Sequence, residues 1–199
     1  MAVFTIPVMI LNLLGGIVSG IWLIFLGKLG LVVWAILIYI ISVYGISLLL
    51  MPGLLLALPM QWALETRRYV LAYFFGPLST LWTYVVMTAY CVWSFLFIIN
   101  NHDSGSIWPY LLLGYSVATA PWGYMASKEG PDSTGSTIGA FFCCLGGIVM
   151  MIVTLFSDKI TNVKLIISFD AVMAVAWILQ TALFFVVVKE EKIRKSNLE

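Results

Sequence analysis

YVLAYFFGPLSTLWTYVVMTAYCVWSFLFII, residues 69–99, runs from Tyr69 to Ile99 without one charged side chain. A helix that crosses a hydrocarbon core about 30 Å thick, at about 1.5 Å per residue, needs about 20 such residues. This stretch is longer than one span. A helix at the surface of a soluble protein keeps a charged, polar face for water, and this segment has no charged residue, so its solvent is lipid. Its length leaves two readings: a spanning part that begins after Gly76 and Pro77, or one long tilted helix that includes both.

Working outward, the same test finds five more stretches. The first runs from about Phe4 to Leu26 and is closed by Gly27, Lys28 and Gly30. With no basic residue ahead of it, it lacks the charged start of a secretory signal and reads as the first membrane helix. The second runs from Leu31 to about Leu50, where Pro52 and Gly53 are expected to end or kink it. Residues 54–66, LLLALPMQWALET, are too short to span and contain Pro59, so they read as an interfacial or re-entrant segment leading to Arg67 and Arg68. After the polar turn NNHDSGS come the fourth span, Ile107 to Ala126, and the loop SKEGPDSTGS at 127–136. The fifth span, Thr137 to Phe156, is followed by SDKITNVK and by the sixth, Leu165 to Val188. The expected fold is therefore all-α: one polytopic membrane bundle over residues 1–188 with about six transmembrane helices, and a charged cytoplasmic tail at 189–199.

Composition agrees. Of 199 residues, 62% are hydrophobic and 10% charged, against roughly 25% charged in an ordinary soluble domain, and the mean hydropathy is +1.07. The lipid bilayer is the first partner. A formal net charge of +1 produces no long-range field, so nucleic acid is not expected as a partner. Six spans put Arg67, Arg68, Lys128, Lys189, Lys192, Arg194 and Lys195 on one side, and only Lys28, Lys159 and Lys164 on the other. The excess of basic residues in short loops faces inward, so both termini are expected in the cytoplasm, with the plasma (inner) membrane as the location.

Asp170 is the one acidic residue well inside an apolar span, where a carboxylate costs a few kcal/mol. Helical periodicity places Asp170, Ala174, Trp177 and Thr181 on one stripe, with Gln180 beside it. Asn12 is the comparable polar residue of helix 1. Two readings compete: an ion or small-molecule site, or a structural ion pair for which Lys28 is the expected partner. Gly15 to Ser19 and Gly16 to Gly20 have the small-xxx-small spacing of close helix packing, and Gly114 and Pro121 make helix 4 rich in small and bending residues. A proline there frees a carbonyl that can hold an ion or merely bend the helix. In helix 3, Thr80, Tyr84, Cys91 and Ser94 form a mildly polar stripe expected to face inward. Trp22, Trp62, Trp108, Tyr110, Trp122 and Tyr124 lie near span ends and read as interfacial belts; Trp34, Trp82, Trp93 and Trp177 lie deeper and are better placed to line a pocket.

Cys91, Cys143 and Cys144 read as small buried hydrophobes, and the lone His102 beside Asp103 has no second ligand at metal spacing. No phosphate loop, HExxH, GxSxG or CxxC is present. No metal, cofactor or enzymatic activity is expected. The leading expectation is binding or transport of a small molecule or ion within the bundle. The alternative is a non-catalytic accessory subunit whose small-residue faces and basic edge dock on a membrane-protein partner or on lipid.

Overall fold

A computed structural model of the chain describes residues 2–103, 105–129, 134–156 and 162–196. These residues form six helices, and no strand occurs among them: α1 (Ala2–Phe25), α2 (Leu29–Glu65), α3 (Tyr69–Ile99), α4 (Trp108–Glu129), α5 (Thr134–Phe156) and α6 (Asn162–Ser196). Four of them carry stretches long and apolar enough to cross a membrane: Leu48–Glu65, Tyr69–Ile99, Thr137–Phe156 and Asn162–Arg194. Ile10–Phe25 and Leu29–Ser42 are shorter apolar stretches.

The helices pack as two rows. In one, α3 lies between α2 and α6; in the other, α4 lies between α1 and α5. Across the rows α3 meets α4 and α6 meets α5, whereas α1 and α2 barely touch. Consecutive helices run in opposite directions. The α1–α2 and α3–α4 turns therefore share one end, where Lys28 of the first donates to the Asp103 carboxylate of the second. α1 starts and α6 finishes at the other end, the end of the α2–α3 turn at Arg67.

Row membership also divides the helices by length. At about 1.5 Å per residue, the 37 residues of α2, 31 of α3 and 35 of α6 give rods of about 55, 46 and 52 Å. The 24, 22 and 23 residues of α1, α4 and α5 give only about 33–36 Å. The surplus lies at the Arg67 end, where α3 and α6 stay together: Tyr73 meets Phe185 edge to face at 5.4 Å, and the Lys192 ammonium lies 5.9 Å from the Tyr69 ring centre.

Several boundaries differ from the sequence reading. α2 does not end at Pro52–Gly53, and residues 54–65 are its continuation, with both Pro52 and Pro59 inside the helix. Of the two readings of residues 69–99, the single long helix holds, with Pro77 inside it. The loop expected at 127–136 is shortened from both sides by α4 and α5, and its residues 130–133 lie outside the described part. The charged segment after Val188 continues α6 to Ser196.

Two helix ends are closed by the same motif. Lys28 N–H bonds to the Leu23 carbonyl and Gly27 N–H to that of Ile24, with Gly27 at φ 78°; Arg68 N–H bonds to Ala63 and Arg67 N–H to Leu64, with Arg67 at φ 58°. This left-handed closure suits glycine, and only the first of the two has one.

The core lies between the rows. On α3, Tyr84, Met87, Cys91, Phe95 and Ile98 recur at spacings of three and four and are all buried, which places them on one face. Facing them are Leu111, Ala118 and Trp122 of α4 and Cys143 of α5. α4 carries no stretch among those long and apolar enough to cross a membrane, and it has neighbours on several sides. Its Pro121 has no N–H for the Val117 carbonyl, and the Tyr90 hydroxyl donates to that oxygen at 3.3 Å. The freed carbonyl thus serves packing.

Candidate functional site

α3 and α6 touch closely only toward the Arg67 end. There a Cβ on Gly76 would run into the Phe184 ring, and the Trp177 indole N–H donates to the Pro77 carbonyl at 3.3 Å. Toward the Lys28 end the helices leave a groove of about 730 Å³ that is open on its outer side. Its α3 wall includes Leu81, Val85, Ala89, Trp93 and Leu96, and its α6 wall Ile166, Asp170, Ala174 and Trp177. Tyr84, Val92 and Met173, all buried, form its base.

Asp170 is the only charged residue of this lining. It is exposed to the groove side, and no described residue pairs with its carboxylate. The expected partner is engaged elsewhere, since Lys28 is held by Asp103 at the end of the bundle. The hydrogen bond from Lys28 to Asp103 raises its pKa above lysine's ordinary value. Lys164 is six residues from Asp170, about a third of a turn off its stripe. The structural ion pair considered from the sequence is therefore not formed among the described residues.

The other singled-out residues divide. Asp170, Ala174 and Trp177 line one groove, as their spacing implied. Gln180 and Thr181 lie a turn further along α6, each with a buried side-chain oxygen that has no partner among the described residues. Asn12 is remote from them: its amide donates to Thr119 on α4, leaving its own oxygen unpartnered. Asn12 thus ties α1 to α4. Gly16 packs against Ser116 of α4, Gly20 faces Val32 of α2, and the Ser19 hydroxyl bonds back to the Gly16 carbonyl at 3.0 Å. Only Gly15 faces open space. Gly114 lies under Phe95 and Ile98 of α3. The inward stripe of α3 is buried at Tyr84, Cys91 and Ser94 and half-buried at Thr80.

Two residues expected in an interfacial belt are core residues. Tyr110 is 2% exposed beneath the His102 ring, and Trp122 is 2% exposed against Tyr84, with ring centres 5.1 Å apart. Trp122 fits because Gly139 of α5 has no side chain where the indole lies. Both the Trp122 N–H and the Tyr84 hydroxyl are buried and lack partners among the described residues. Trp22, Trp62 and Trp108 are each about half exposed. Of the deeper tryptophans, Trp93 and Trp177 line the groove, Trp82 donates to the Leu49 carbonyl, and Trp34 meets Phe97 edge to face.

The three cysteines are buried and free, with the Cys91 and Cys143 sulfurs 3.6 Å apart. Among the described residues no three His, Cys, Asp or Glu side chains come together as a metal site. In comparisons with protein-family models, curated proteins and solved structures, none matches this chain.

Proposed function

We propose that this integral membrane protein binds or transports a small molecule or ion, with the α3–α6 groove as its site and Asp170 as the anchoring charge. The observation that carries the reading is a carboxylate with no described partner, opening into a groove with apolar and aromatic walls. An ionisable group in hydrocarbon is costly and marks a ligand or ion path by default. The groove also has the volume of ordinary small-molecule sites. Six spans with cytoplasmic termini belong to the same reading, supported by Arg67, Arg68, Lys189, Lys192 and Arg194 at the end that holds the termini. A cysteine introduced at Ser196, labelled only after the membrane is opened from the cytoplasmic side, tests that orientation.

Native mass spectrometry of the protein released gently from its own membrane tests the function. A stoichiometric small molecule that is lost in Asp170→Asn supports it. A stoichiometric second polypeptide with no small ligand favours an accessory subunit instead. That second reading draws on the loose α1–α2 pair, whose apolar groove of about 340 Å³ is lined in part by Gly16 and Gly20. There Gly20→Leu, whose Cβ meets Val32 at no closer than an ordinary contact, releases the partner while the bundle stays intact.

A further inference from the structure

We propose that the ligand of the α3–α6 groove is a lipophilic amine, its ammonium at Asp170 and its apolar body along the α3 wall, reached sideways from the bilayer. The proposal rests on the groove being a ligand site and adds the ligand's chemistry. Asp170 is the single charge in a lining that is otherwise apolar, aromatic or hydroxyl-bearing. An anion or a second carboxylate there would face uncompensated repulsion, whereas a cation offsets the cost of keeping Asp170 ionised in hydrocarbon. The cations nearest in sequence or in the original expectation, Lys164 and Lys28, do not supply it: one is off the stripe and the other is bound to Asp103.

Aromatic faces support the same choice. Trp93, Trp177 and Tyr84 all line the groove, and indole and phenol rings attract ammonium groups. Tyr84 is 4% exposed with its hydroxyl buried, so Trp93 and Trp177 carry the aromatic contact. The open outer side distinguishes this from an ion pathway, since a bare metal ion or proton has no route through lipid. An apolar tail does.

The shape excludes a transmembrane partner helix as the fitted occupant. A helix is about 10–12 Å across with its side chains and needs a seam that continues through the bilayer. This groove is stopped at one end by Trp177 on Pro77 and by Phe184 on Gly76.

The test uses the full chain in phosphatidylcholine nanodiscs, titrated with dodecylamine, dodecanol and dodecanoic acid, with binding read by native mass spectrometry and by thermal shift. The amine is expected to saturate and to bind about tenfold or more tighter than the alcohol, with the acid weakest. Asp170→Asn brings amine and alcohol to the same affinity, Asp170→Glu keeps the amine preference, and Ala174→Trp, which fills the groove, removes all binding. An alcohol that binds wild-type protein as tightly as the amine overturns the amine assignment and leaves the groove a ligand site. If no probe gives saturable binding that Ala174→Trp removes, the groove reading itself falls. A stoichiometric polypeptide released by Asp170→Asn overturns both in favour of a partner helix.

Discussion

α6 has two neighbours and meets them in opposite ways. Against α5 the seam is closed, because Gly146 lies under Phe169, with a Cβ at Gly146 only 2.8 Å from that ring. Against α3 the seam opens into the groove, where Ala89 and Ala174 are both small and the larger side chains stand around them. Small residues therefore do not close a helix pair by themselves. They do so where the partner offers a ring to fill the space, as Phe169 does for Gly146, Trp122 for Gly139 and Tyr115 for Gly147.

That contrast can be broken most forcefully on its tight side. Gly139→Leu drives a side chain into the Trp122 ring, which is confined by Tyr84, and the expected loss is at the upper end of the about 1–3 kcal/mol of overpacked cores. A denaturation midpoint in detergent that stays unchanged would refute the packing. Next is Tyr90→Phe, which removes the bond to the Val117 carbonyl freed by Pro121 and should cost about 1 kcal/mol, near the usual net value of one hydrogen bond. On the open side, Ala174→Leu is expected to leave stability within about 0.5 kcal/mol, as for substitutions away from packed features, while it obstructs the groove. A loss as large as that of Gly139→Leu would mean the seam is closed after all.

The smallest effect lies at the end of the bundle. Lys28 is raised above lysine's ordinary 10.5 by its hydrogen bond to Asp103. The stabilisation is therefore fully present below that ordinary value and fades as pH rises through the raised one. Melting temperatures followed across this window should converge for wild type and Lys28→Met at the alkaline end, and added salt should narrow the gap at lower pH.

Helix positions were legible because the bilayer imposes a length, although the long uncharged run Tyr69–Ile99 left open where its span begins. Helix ends were less so. Pro52 and Pro59 are strong breakers in water, yet a membrane helix keeps its remaining backbone bonds because lipid supplies no alternative, and α2 continues to Glu65. At the site, the Asp170–Ala174–Trp177 stripe followed from periodicity on one helix. Tyr84 at its base and Trp93 across from it did not, since nothing local states which helix α6 faces. Trp122 was misread for the same reason: its place beside Gly139 is a property of α5. The pairing of Lys28 with Asp103 depends on which two turns meet.

The unequal rows have a consequence for the bilayer itself. Leu54, Leu55, Leu58, Val70 and Phe74 keep the long row apolar toward the Arg67 end, beyond the level that α4 reaches. Lipids beside α2 and α3 are thus expected to meet a taller hydrophobic wall than lipids on the opposite flank, and a flat annulus cannot match both. The molecule is then expected to act as a lopsided inclusion that thickens or tilts the leaflet along one flank, and thin and thick bilayers should orient it differently.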